Sequence, residues 1–241
     1  MNNLKVISFS LWGNNLNYTT GAIENAKLAK YYYPDFECWF YVHIDTVPDN
    51  IIKQLETLDN VKLIKRTGNL NNIKPMMWRF EAIDEPNVII NMSRDTDTRI
   101  LLREKMAVDE WIDSSYQFHI MRDHPHHMNP KTPIMGGMFG TKKITNIKSW
   151  KEFIYEIKKK PSDRYLYDTD QNLLAEFIYP KVKHISLIHS TFGALSYENN
   201  LSVKNFPINY HNDFKFVGGY IYHDGSDSKR HRDILINAIK I

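Results

Sequence analysis

Along the first hundred positions, short apolar runs alternate with stretches whose apolar residues fall three and four apart. Lys5–Leu11 (KVISFSL), Glu37–Ile44 (ECWFYVHI), Val61–Arg66 (VKLIKR) and Asn87–Met92 (NVIINM) have the length and the β-branched and aromatic content of strands. Thr19–Pro34 sets Ala22, Ile23, Ala26, Leu28 and Ala29 near helical spacing, with Thr20 the expected N-cap and Pro34 the stop. Pro48–Leu58 opens on a proline suited to a helix start and puts Ile51, Ile52, Leu55 and Leu58 on one face. Asn72–Asp84 reads as a third helix. Strand and helix thus alternate three times before a fourth strand. This predicts an α/β fold with a mostly parallel sheet and helices on both faces.

The pattern loosens after residue 100. Leu102–Ser114 is helical and Gln117–Met121 a strand, followed by a polar loop, Arg122–Pro133, with three histidines. Ile134–Ile144 (IMGGMFGTKKI) reads as a strand punctuated by glycines, where absent side chains let a ligand or backbone approach. Helices are expected around Ser149–Lys160 and Asp170–Tyr179, and a strand at His184–Ile188. The tail after Thr191 reads as loops and short strands. No repeat, linker or domain boundary stands out.

Composition narrows the function classes. A net charge of +3, with basic residues dispersed except at Lys158–Lys160 and Ser228–Arg232, argues against nucleic acid; both runs read as solvated patches. The single cysteine, Cys38, permits no internal disulfide and implies no oxidising compartment. The N-terminus lacks the pattern of a signal peptide, and no run approaches the ~18 apolar residues of a membrane span. The expectation is a soluble, cytoplasmic protein.

In open α/β sheets, ligands sit beyond the carboxyl ends of the strands. Two such ends carry polar chemistry: SLWGNN after the first strand and SRDTDTR after the fourth. With 17 aspartates in 241 residues, an Asp-x-Asp arises by chance about once, so position must decide. Asp95 and Asp97 leave a strand end on the same side. Two close carboxylates raise each other's pKa unless a cation intervenes. Arg94 and Arg99 can supply one; a hard divalent ion, Mg²⁺ or Mn²⁺, is the sharper reading. A second Asp-Thr-Asp, Asp168–Asp170, precedes an apolar helix, where either aspartate can cap it. With Gln171 the same run can instead face a cleft. Trp12 and Tyr18 can stack on a base or fill core. Arg79 can add charge near phosphates or organise the aspartate loop as an ion pair, while Arg103 and Glu104 read as structural. The histidine loop lacks the spacing of a zinc site.

The order of blocks SLWG, YTTGAIENAKLA, YYYP, WFYV, MWRFEAID, VIINMSRDTDTRI, REKMAVDEWI, FHIMRDHPHH, IMGGMFG and DTDQNLL resembles a family of GT-A-fold glycosyltransferases, found in bacterial polysaccharide clusters and large DNA viruses. The resemblance spans roughly Lys5 to His189. It implies one domain over residues 1–241, with a nucleotide-binding half (1–100) and an acceptor-side half (101–241). It also implies a nucleotide-sugar donor, UDP-sugar favoured, a bound Mn²⁺ or Mg²⁺, and transfer to an acceptor hydroxyl, on a glycan, in polysaccharide biosynthesis. By position, Asp95 and Asp97 resemble the metal motif. Ser8, Leu11, Trp12 and Gly13 resemble the nucleotide cradle. Gly136 and Gly137 resemble the strand lining the sugar pocket, and Asp123 and His124 a loop bonding sugar hydroxyls. Asp168, Asp170 and Gln171 resemble the region facing the anomeric carbon, in a pattern like that of retaining families. Tyr18, Arg79 and Arg94 join the donor side. The third metal ligand implied by the family is His189 or His223, with His189 preferred. Two alternatives stay open: a nucleotidyl- or phosphotransferase on a similar sheet, and a non-catalytic glycan-binding relative.

Overall fold

A computed structural model describes residues 3–70, 75–143 and 169–240. Its centre is one eight-stranded sheet: β1 (Leu4–Leu11), β2 (Glu37–His43), β3 (Val61–Arg66), β4 (Val88–Ser93), β5 (Phe118–Arg122), β6 (Phe139–Lys142), β7 (Ser186–Ser190) and β8 (Ser202–Lys204). The order across the sheet is β3-β2-β1-β4-β6-β5-β7-β8. Every pairing is parallel except those of β6, which runs antiparallel to both β4 and β5. The mostly parallel α/β sheet expected from the alternation is therefore present.

Period-two alternation divides β1 and β2 between two cores, and in β4 a register shift after Val88 puts Ile90 on the opposite face from it. On one face Ile7, Phe9, Leu11, Cys38, Phe40, Val42, Ile90 and Met92 pack under α1 (Leu16–Tyr32), α2 (Asp49–Glu56) and α3 (Leu102–Asp113). On the other, Val6, Trp39, Tyr41 and Val88 meet Trp78 and Ala82 of the 3-10 segment Pro75–Asp84. Further along this face, Phe118, Ile120 and Phe139 pack against Leu173, Leu174 and Ile178. Those residues belong to α4 (Thr169–Leu173) and a π turn (Leu174–Ile178), which continue into α5 (Tyr179–Val182). No helix among the described residues is long and apolar enough to cross a membrane.

Several boundaries differ from the sequence reading. Helix α1 starts at Leu16, capped by Asn15, whose side chain accepts from the Asn17 amide, so Thr20 lies inside the helix. Pro75–Asp84 winds as a 3-10 helix, and the Arg79 amide is spent on Ser10 Oγ at 3.0 Å. Only Phe139–Lys142 of the glycine-punctuated run is strand; Gly136 and Gly137 lie in the turn before it. The helix expected at Asp170–Tyr179 holds an inserted π turn, just before a proline that cannot donate to the ladder. The tail contains a helix the pattern did not predict, α6 (Lys229–Ile239), begun by Ser228 and anchored by Leu235. The basic run Ser228–Arg232 is its first turn. The helix expected at Ser149–Lys160 lies outside the described residues.

Candidate functional site

A cleft of about 250 Å³ opens at the carboxyl ends of β1 and β4. Its walls include Ser10, Trp12, Tyr18, Arg79, Asp95, Asp97, Gly136, Asp170 and Gln171. Residues from β1, the 3-10 segment, the loop after β4, the turn before β6 and α4 therefore converge. This is where a parallel sheet exposes backbone and polar ends.

Arg79 is the centre of the cleft floor. Its side chain is 6% exposed. Nη2 donates to Asp170 Oδ2 at 2.8 Å, and Nη1 pairs with Asp95 Oδ1. Burial alone would lower the Arg79 pKa; the fields of Asp95 and Asp170 outweigh it and raise it. The two glycines before β6 make room for this cluster. A Cβ on Gly136 would lie 2.3 Å from Asp170 Oδ2, and one on Gly137 would lie 1.9 Å from Asp95 Oδ2.

The carboxylates are under electrostatic load. Burial, then the charge of Asp95, pushes Asp97 up to about 7, against a smaller opposing effect from Tyr18, whose hydroxyl bonds it. Burial likewise raises Asp170, opposed by Arg79. Two neighbouring carboxylates that raise each other's cost of ionisation suit a small hard cation, which would relieve that repulsion and take its remaining ligands from water and phosphate. No group of three or more His, Cys, Asp or Glu among the described residues is arranged to hold a metal without such outside ligands.

Trp12, Tyr18, Arg79, Asp95, Asp97, Gly136, Asp170 and Gln171 thus share one cleft, with Gly137 packed behind Asp95. Asp168 lies outside the described residues. The remaining candidates sit elsewhere. Ser8 is fully buried and donates to Met92 O, and Leu11 belongs to the core. Gly13 turns the chain at φ +73° and donates to Thr46 Oγ1. The Arg94 guanidinium points inward, to Glu104 and to the carbonyls of Ser93 and Phe139, and not to the cleft.

Asp123 is fully buried. It accepts from Arg103 Nε and Nη2, Thr191 Oγ1, the Tyr210 hydroxyl and the Val217 amide, which leaves no capacity for a sugar hydroxyl. His124 is taken up by the His126 amide and the His231 carbonyl, and stacks on Phe216. His189 is buried on β7, with one ring nitrogen 2.8 Å from His119 and the other 3.1 Å from Glu110. His223 lies at the surface and engages Asn17. Neither histidine expected as third metal ligand lines the cleft.

Among the described residues the histidine that lines it is His127, which the sequence reading included in the histidine loop without giving it a role of its own. Its only sequence signal is the RDHPHH block, where Pro125 starts the 3-10 turn Pro125–His127 and folds the third histidine back. Ser10, which opens SLWGNN, and Thr96, between the two aspartates, line the cleft as well, as does Gly218, which the sequence reading did not single out.

No family model matches the chain, and no curated protein matches it. Among solved structures it is similar to the galactosyltransferase LgtC in complex with donor and acceptor sugar analogs, at 14% identity over 77% of this chain and 73% of that one, with a TM-score of 0.46. It is also similar to a glycosyltransferase involved in glycosylation of the major capsid of PBCV-1, at 13% identity over 79% and 82%, with a TM-score of 0.47. A third similarity is to 4-diphosphocytidyl-2C-methyl-D-erythritol synthase from Anaerococcus prevotii, at 10% identity over 99% and 97%, with a TM-score of 0.48. None of the three reaches a TM-score of 0.5, and the function of the cleft rests on its own residues.

Proposed function

We propose that the chain is a metal-dependent glycosyltransferase of the GT-A kind. It would move a sugar from a nucleotide-diphosphate sugar, UDP-sugar favoured, to an acceptor hydroxyl, on a glycan. The observation that carries this reading is the position of Asp95 and Asp97. They leave the end of a central parallel strand into a cleft already holding an arginine and a third aspartate.

Asp95 and Asp97 would hold Mn²⁺ or Mg²⁺, which when bound offsets charge developing on the departing nucleoside diphosphate. Trp12, just past β1, would offer its ring face to the base, with Tyr18, in the first turn of α1, beside it. Arg79 keeps Asp95 and Asp170 at fixed separation, so the donor meets a preset floor. Gly136 lets Asp170 and Arg79 pack against the backbone of the cleft wall that would meet the sugar. Asp170 already has Oδ2 on Arg79 and Oδ1 on the Gln171 amide, so it is poorly disposed to act as a base on an acceptor. That favours retention of configuration, with Asp170 and Gln171 facing the anomeric carbon.

The test is a thermal-shift panel of nucleotides and nucleotide-sugars with and without Mn²⁺. UDP or GDP should raise the melting temperature only with metal, by the equivalent of about 2.7 kcal/mol at a hundredfold excess over Kd. Asp97→Ala should abolish the effect; metal-dependent binding that survives it would sink the metal assignment. Release of pyrophosphate in place of a nucleoside diphosphate would turn the reading to a nucleotidyltransferase. Glycan binding with no donor turnover would turn it to a binding protein.

A further inference from the structure

His127 is 7% exposed, and its ring lines the cleft with Asp95, Asp97, Gly136 and Gly218. The ring is fixed from three sides. His124 and Phe216 pack against it at centroid distances of 5.7 and 5.9 Å. The Asp123 amide donates to Nδ1 at 3.1 Å. A main-chain N–H can only donate, so the Nδ1 lone pair is committed as acceptor. A neutral imidazole carries one ring proton, which must then sit on Nε2. Burial, then the neighbouring histidines, pushes the His127 pKa down to about 3, so the ring stays neutral. Nε2 forms no hydrogen bond with any described residue.

The Asp123 amide is itself immobile, since the Asp123 carboxylate is tied to Arg103, Thr191, Tyr210 and the Val217 amide. The tautomer is therefore set by a buried network and not by the contents of the cleft. An unpaired N–H facing a cleft that contains three carboxylates wants an acceptor oxygen.

We propose that His127 presents a fixed, neutral Nε2–H donor to an oxygen of the bound nucleotide-sugar, on the diphosphate or on the adjoining sugar. This rests on the glycosyltransferase reading above. It also separates His127 from the metal: a nitrogen that carries its proton has no lone pair for a cation, so Asp95 and Asp97 bind the ion without it.

The tautomer is read directly by long-range ¹⁵N–¹H correlation on histidine-labelled, ligand-free protein. The expected spectrum has an unprotonated Nδ1 and a protonated Nε2; the opposite pattern overturns the proposal. Calorimetric titrations then compare wild type, His127→Gln and His127→Phe, with His127→Leu replacing the phenylalanine variant if it does not fold. Mn²⁺ alone should bind all of them within about twofold. With Mn²⁺ present, ligand affinity should fall about tenfold in the apolar variant and return in His127→Gln, whose amide N–H reaches the same place. A fall with UDP assigns the contact to the diphosphate, and a fall only with intact UDP-sugars assigns it to the sugar. No fall with either overturns the proposal, as does a loss of Mn²⁺ binding as large as that of Asp97→Ala. Wild-type protein that binds none of these ligands with Mn²⁺ overturns the functional reading instead, while the tautomer stands or falls on its own spectrum.

Discussion

Arg79 and Asp170 meet at 2.8 Å in the cleft floor, joining the 3-10 segment before β4 to the first turn of α4. Both side chains are nearly out of solvent, at 6% and 8% exposure. Breaking such a pair leaves a buried charge without its partner. Arg79→Met should therefore destabilise the protein by about 3 kcal/mol. Adding Asp170→Asn should recover part of that loss. Urea denaturation of the two single variants and the double variant gives the coupling. Additivity within about 0.5 kcal/mol would refute it.

The raised pKa of Asp97 makes stability fall with pH. An ordinary unfolded aspartate titrates near 3.9, whereas the folded group titrates at about 7. The stability this group lends is whole below about pH 4 and is lost as pH rises through 7. Without metal, Asp97→Asn should thus gain on wild type between pH 5 and 8, by on the order of 2 kcal/mol after allowance for solvent in an open cleft. Melting curves in chelator across that range check the sign. Saturating Mn²⁺ should reverse it, since only wild type binds the ion well.

Gly137→Ala puts a methyl group within 1.9 Å of where Asp95 Oδ2 now stands. The aspartate loop must move to admit it. Metal-dependent UDP affinity should drop at least about tenfold, the equivalent of 1.4 kcal/mol. Gly13→Ala meets no atom within 4 Å and strains only the local turn, so its effect should be confined to stability. Calorimetry on both variants tests the contrast; equal losses of affinity would refute it.

Asp123→Ala should loosen the tail more than the sheet. It removes the acceptor shared by Arg103, Thr191, Tyr210 and Val217, and strands the Arg103 guanidinium. A cost of about 3–5 kcal/mol is expected. Limited proteolysis should find new cleavage between residues 205 and 217 before any within β1–β4.

The sheet was legible in the sequence because its first half is a two-core structure written in alternating residues. Phe9 and Phe40 face one side, Val6 and Trp39 the other. Local hydrogen bonds moved the boundaries: Asn15 took the cap expected of Thr20, and Ser10 drew the Arg79 amide out of an α-helical ladder. The cleft was legible at Asp95, Asp97 and Asp170, where position at the ends of elements carries the signal. It was least legible where polar residues are buried. Arg94, Asp123, His124 and His189 look reactive in a one-dimensional string, yet each finds its partners across the fold. Pairings at such separations leave no periodicity to read. His127 was not told apart from its loop neighbours for the converse reason, since a short turn alone brings it into the cleft.

The adjacent residues Arg103 and Glu104 open α3 and point to different partners. Glu104 holds Arg94, immediately before Asp95, at 2.7 Å. Arg103 holds Asp123, whose amide orients His127 and whose carboxylate seats Val217 beside Gly218. Two segments that line the cleft, the aspartate loop and the stretch holding His127, are thus anchored by neighbouring residues of one helix. The rotation of α3 about its axis therefore sets both anchors at once, and the same rotation that seats Trp111 against His119 of the sheet fixes the two sides of the cleft together.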